Sequence, residues 1–140
     1  MKKLLDVNAP LRNAYGDAYE EPKVEKGKAL LKSGDWKSVN TLTNADEPET
    51  EPVKLGKAII MALDIASDKL EAKERVDRFM LSTRVATAMK DGNGLEIDRD
   101  DEKRIDAASE LITSNHMFIA RIREALHTAK PVEPKKSKAA

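Results

Sequence analysis

From Val53 to Ala129, apolar residues recur every three or four positions, and no other feature constrains the fold as strongly. VKLGKAIIMALDIAS sets Leu55, Ile59, Ala62, Leu63 and Ala66 on one side of a first helix. A second helix is predicted over Leu70–Lys90, after Ser67-Asp68. Ala72, Val76, Phe79, Met80 and Thr83 form its inward face, and Lys73, Glu74, Asp77, Arg78 and Arg84 its outer one. Glu74 and Arg78 are spaced for an i,i+4 ion pair. A third helix is predicted from Arg99 to Thr113, with Ile105, Ala108, Leu111 and Ile112 inward. The fourth carries Phe118, Ile119, Ile122, Ala125 and Leu126 as its stripe and is closed by Pro131. Short connections imply antiparallel neighbours. The expected fold is mainly α (α+β): a small antiparallel bundle of about four helices over residues 53–129, preceded by an extended, partly β segment.

That segment, residues 1–52, mixes short apolar pieces with turn signals: Asn8-Ala9-Pro10, Tyr15-Gly16-Asp17 and Ser33-Gly34-Asp35. Strands are expected at Lys3–Val7 and at Ala29–Leu31, the latter pairing with Trp36–Val39 across KSGD. NTLTNADEPETEP, residues 40–52, reads as an acidic linker. Asp46, Glu47, Glu49 and Glu51 follow one another without a base, Pro48 and Pro52 forbid a regular helix, and the segment is expected to be mobile unless a partner holds it. At the other end, residues 130–140 set four lysines against Glu133 and contain two prolines, as a disordered basic tail does.

Composition narrows the function. The 25 basic and 25 acidic residues balance, which disfavours a globally basic nucleic-acid binder. The chain has no cysteine, so it has no disulfide framework, thiolate nucleophile or zinc–sulfur site, and an intracellular compartment is expected. The apolar run of MKKLLDVNAP stops after two leucines, too short for a signal peptide, and no window reads as a membrane span.

DGNGLEIDRDDE, Asp91 to Glu102, is the one stretch with a ligand-like pattern. As a calcium loop it would place oxygens at its first, third, fifth and twelfth positions and glycine at its sixth. Asp91, Asn93 and Glu102 comply, but Leu95 and Glu96 stand fifth and sixth, and the aliphatic Ile97 falls one place early. Turn and cap chemistry accounts for every residue instead. Gly92 suits a left-handed cap, and Leu95 and Ile97 flank Glu96 in a short extended piece. Asp98 is then an N-cap, followed by Asp100, Asp101 and Glu102 in the first turn of a helix.

No catalytic constellation is predicted. His116 and His127 lie eleven positions apart, hence roughly 16 Å along a helix, too far to share one ion. LGKAII lacks the second glycine and the hydroxyl of a phosphate-binding loop, and no G-x-S-x-G occurs. The protein is expected to be no enzyme and to need no cofactor or metal. The residues singled out for partner contact are Tyr15, Tyr19 and Trp36, with Lys135, Lys136 and Lys138 of the tail. For Trp36 a core plug is the competing expectation, and it is preferred. For the lysines the competing expectation is a solubilising end.

The order of elements resembles that of small accessory proteins encoded in tailed-bacteriophage and prophage genomes. The residues that carry the likeness are Ala9-Pro10-Leu11-Arg12-Asn13 with Gly16, the K-L-G-x-A opening Lys54–Ala58, and EAKERVDR at Glu71–Arg78, followed by L-x-I-D and two last helices. The resemblance implies a virion or assembly component, or a modifier of a host protein, located in the host cytoplasm or in the particle. The expected function is non-enzymatic protein–protein interaction through extended arms. The alternative is a nucleic-acid-binding or host-transcription-modulating protein that uses Arg99, Lys103, Arg104, Arg121 and Arg123 with the lysine tail. The sequence gives no oligomeric state.

Overall fold

The computed structural model describes residues 2–65, 69–112 and 116–132. In chain order these form β1 (Lys3–Leu5), β2 (Glu20–Pro22), β3 (Val24–Glu25), β4 (Lys28–Leu30), β5 (Trp36–Ser38), β6 (Thr50–Pro52), α1 (Leu55–Asp64), α2 (Ala72–Asp91), β7 (Leu95–Ile97), α3 (Arg99–Ser109), α4 (His116–Thr128) and β8 (Lys130–Pro131). They group into two compact units, Met1–Leu11 with Lys54–Ala140, and Arg12–Val53.

The larger unit has α1 at its centre. Six of its ten residues are buried, including Leu55, Ile59, Ala62 and Leu63, as the periodicity required. A helix apolar around so much of its girth must be covered on several sides, and α2, α3 and α4 all pack against it. Its first amides have no side-chain cap. The turn after β1 serves instead: Leu55 N–H donates to the Ala9 carbonyl and Gly56 N–H to the Val7 carbonyl, both at 2.8 Å. The approach is so close that a Cβ on Gly56 would stand 2.9 Å from the Val7 oxygen and collide with the Met89 side chain. Ala66 of the predicted first helix and Thr113 of the third lie outside the described residues.

The expected helical bundle with an extended N-terminal segment is corrected. The fold is α+β, with four helices and three small antiparallel sheets among the described residues. One sheet is woven into the helices, in the order β7-β1-β8. Leu5 stands opposite Leu95 and Lys3 opposite Ile97, so burying Leu5, Leu95 and Ile97 fastens the chain's beginning to the α2–α3 connection. Lys3 adds polar ties, its ammonium donating to Glu102 Oε1 at 2.9 Å and to the Leu126 carbonyl at 3.2 Å. Periodicity within the helices carries no information about a strand donated from about ninety positions away, so the expected strand at Lys3–Val7 has no partner in the sequence pattern.

The second correction concerns the inward face of α2. Val76, Phe79 and Met80 are 59%, 66% and 58% exposed, while Arg78, Leu81, Ser82, Val85 and Ala88 are buried. The helix is turned by about half a revolution from its predicted setting. One polar tie joins the observed buried side to α1 and another lies within α2. Ser82 donates to Asp64 Oδ1 at 2.9 Å across to α1, and Arg78 Nε reaches Glu74 Oε1 at 3.4 Å. The i,i+4 pair thus exists, but with its arginine buried.

The smaller unit, Arg12–Val53, is built of short ladders. β4 pairs with β5 and β3 with β4, which realises the expected KSGD hairpin with Leu30 opposite Trp36. The acidic stretch expected to be mobile is instead placed by backbone pairing. Thr50–Pro52 is a strand against Glu20–Pro22, and Glu49 N–H donates to the Leu30 carbonyl at 2.8 Å. Pro48 and Pro52 rule out a helix but not an edge ribbon, in which a missing N–H can face away from the ladder. Within the turn before β6, Asp46 accepts from Lys37 Nζ at 2.8 Å and from Thr43 N–H at 2.7 Å. Lys37 in particular holds the Asp46 carboxyl below its ordinary pKa.

Candidate interaction surfaces

The Asp91–Glu102 stretch resolves into architecture. Gly92 has φ 72°, left-handed, and Asn93 N–H donates back to the Ala88 carbonyl at 3.0 Å, closing α2. Leu95 and Ile97 are buried with Glu96 exposed between them. Asp98 accepts from Asp101 N–H at 2.8 Å while the Asp101 carboxylate accepts from Asp98 N–H at 3.1 Å, a reciprocal box opening α3. Asp101 also receives Arg84 at 3.1 and 3.2 Å. The carboxylates of Asp98 and Asp101 are engaged by backbone N–H groups and by Arg84, and Glu102, last of the calcium-loop positions, accepts from the Lys3 ammonium. Among the described residues, no group of three or more acidic or histidine side chains converges on a common point. The backbone bond from Asp101, more than any other influence, lowers the Asp98 pKa.

Most of the arginines proposed as a basic surface are bound to carboxylates. Arg104 bridges Glu74 at 2.9 Å and Asp77 at 3.4 Å, Arg121 meets Glu124, and Arg123 meets Asp106 and Glu110. The Arg104 hydrogen bond, foremost, holds Glu74 below its ordinary pKa, and Arg104 is raised in return. Arg99 and Lys103 remain, on the rim of an open cleft of about 440 Å³ that Glu102, Asp106 and His127 also line. Its mixed signs give no continuous track for a phosphate backbone. His116 and His127 are both exposed on α4.

Of the proposed aromatic contacts, Tyr15 and Tyr19 lie in the connection before β2 and Trp36 on β5, all within Arg12–Val53. Tyr15 is 91% exposed at the tip of a loop. There Asn13 Oδ1 accepts from Tyr15 N–H at 2.9 Å, Gly16 has φ 86°, and Arg12 donates to the Gly16 carbonyl at 2.9 Å. Tyr19 is half-buried, and its carbonyl accepts from Val53 N–H at 2.7 Å. Trp36 lies on β5 at the edge of its sheet and keeps 45% of its surface, where a core plug would be enclosed. Lys135, Lys136 and Lys138 lie outside the described residues. The outward row of α2 carries the helix's largest apolar side chains, which in sequence have the pattern of a core face. The signal that distinguishes it is a second stripe, Leu81, Val85 and Ala88, at i, i+4 and i+7 on the opposite side.

No helix among the described residues is long and apolar enough to cross a membrane. The fold and surfaces define a small α+β protein of two units. No family model, curated protein or solved structure matches the chain.

Proposed function

We propose that the chain is a non-enzymatic protein–protein interaction protein, an accessory component of a phage particle or of its assembly, and that it docks through the Arg12–Val53 unit. The observation carrying this reading is the mismatch between backbone order and apolar burial in that unit. Its strands are paired, yet Ala29 and Val53 are its buried apolar residues, while Tyr15, Val24, Trp36 and Val39 stay exposed. A segment of this length without disulfide or metal has little burial to set against its ordering entropy. Contact with a partner supplies what is missing, and the edge strand β5 with Trp36 offers both backbone groups and an aromatic anchor.

The test compares the tagged wild-type chain with a Tyr15→Ser, Trp36→Ser variant whose circular dichroism is unchanged, during phage infection. Wild type in purified particles or assembly intermediates, and at least tenfold less variant there, supports the reading. A chain found in neither, or a variant retained equally well, overturns it.

A further inference from the structure

We infer that the outward face of α2 is a self-association surface on which a second copy of this chain packs, antiparallel, helix against helix. This goes beyond the docking role of Arg12–Val53 and uses none of its residues.

The exposed side of α2 is patterned. Ala72, Val76, Phe79, Thr83, Ala86 and Lys90 are all exposed and alternate in steps of four and three along the whole helix. Steps of three and four belong to any helix face; what sets this one apart is the large apolar side chains Val76, Phe79 and Met80 left exposed on it. The row is also graded in size. Its N-terminal half holds the large side chains Val76 and Phe79 with Met80 beside them, and its C-terminal half holds Thr83 and Ala86. A second copy running in the opposite direction about a two-fold axis at Leu81 sets Phe79 against Thr83 and Val76 against Ala86, large into small in every central layer. The same axis brings Lys90 and Asp91 beside Glu71 and Lys73 of the other copy, so both signs of charge meet at each end. A parallel copy would instead stack Phe79 on Phe79 and leave the alanine layers hollow. An isologous contact requires this kind of self-complementarity.

Area sets the strength. The three large side chains offer roughly 300 Å² of apolar surface per copy, the size at which exposed patches begin to mark contact sites. With flanking residues the pair would bury about 1,000 Å², the range of weak, reversible association.

The test exploits the absence of cysteine. Sedimentation across a concentration series should show a monomer–dimer equilibrium. Phe79→Asp, fully folded by circular dichroism because Phe79 carries no core contact, should weaken it at least tenfold. Ala72→Cys and Lys90→Cys lie about 27 Å apart on one helix. Mixed and treated with a short bis-maleimide, the two variants should link, whereas neither should link to itself. Monomers at every concentration, dimers that survive Phe79→Asp, or self-linking of Ala72→Cys as fast as the mixture would each overturn the inference.

Discussion

Asp98 shows how much of this structure rests on single polar atoms at element ends. Its carboxylate takes an N–H that α3 cannot otherwise satisfy, and Asp101 returns the favour to its backbone. Asp98→Ala should therefore cost about 1 kcal/mol, and Asp98→Asn, which keeps the acceptor, distinctly less; urea unfolding of both variants checks this. The same atoms set a pH dependence. The carboxyls of Asp98 and Glu74 are held below their ordinary values, the first chiefly by the Asp101 backbone and the second chiefly by Arg104. At mildly acidic pH the folded state then binds fewer protons than the unfolded one, so stability rises with pH there. Their contribution is complete above roughly pH 5 and is lost as pH falls through the lowered folded values. Melting temperature against pH should be flat from neutrality to that point and then decline, with a shallower decline for Glu74→Gln. An unaltered acid limb in that variant would show that Glu74 has no part in it.

At the scale of elements, α2 separates what sequence pattern determines from what it does not. The helix itself was legible, as were its end at Gly92, the strand at Leu95 and Ile97, and the N-cap at Asp98, because each is written in residues within a turn of one another. Its rotation was not. Phe79 and Met80 outweigh Leu81 and Val85 in apolar bulk, yet the buried side is the one whose Ser82 reaches Asp64 and whose Arg78 reaches Glu74. The Glu74 partner is local and readable from spacing, whereas the Asp64 partner is set by tertiary placement, which periodicity does not encode. The paired strand at Thr50–Pro52 stayed hidden for the same reason, since its partner Glu20–Pro22 lies thirty positions earlier. Of the proposed contact residues, the exposure of Tyr15 could be read from its Gly16 turn, while on α2 two stripes compete, and apolar bulk favours the one that the structure leaves outside. The consequence can be measured. Leu81→Ala should cost about 2–4 kcal/mol through the cavity it leaves, and Phe79→Ala should stay within about 0.5 kcal/mol in dilute solution. The reverse order in thermal unfolding would restore the face that bulk alone suggests.

For the whole molecule, the decisive fact is that the helical unit is interrupted. Its chain leaves at Leu11 and returns at Lys54, and between these points Arg12–Val53 forms a unit of its own. The two cut ends are already neighbours, because Pro10 and Lys54 form an antiparallel bridge and Leu55 N–H donates to the Ala9 carbonyl. A bridged pair lies about 5 Å apart, so a turn of roughly four residues closes the gap. Replacing Arg12–Val53 with such a Gly-Ser turn should leave a chain with strong helical circular dichroism and one cooperative thermal transition. Removing everything from the start to Thr50 should not, although it cuts at nearly the same place. That deletion takes the middle strand of β7-β1-β8 and the buried Leu5, Val7 and Leu11, and it uncaps α1 by removing the carbonyls of Val7 and Ala9. If both variants melt alike, β1 contributes nothing to the helical core. If only the excised one folds, the first eleven residues belong energetically to the helices, and Arg12–Val53 is free to vary with whatever it binds.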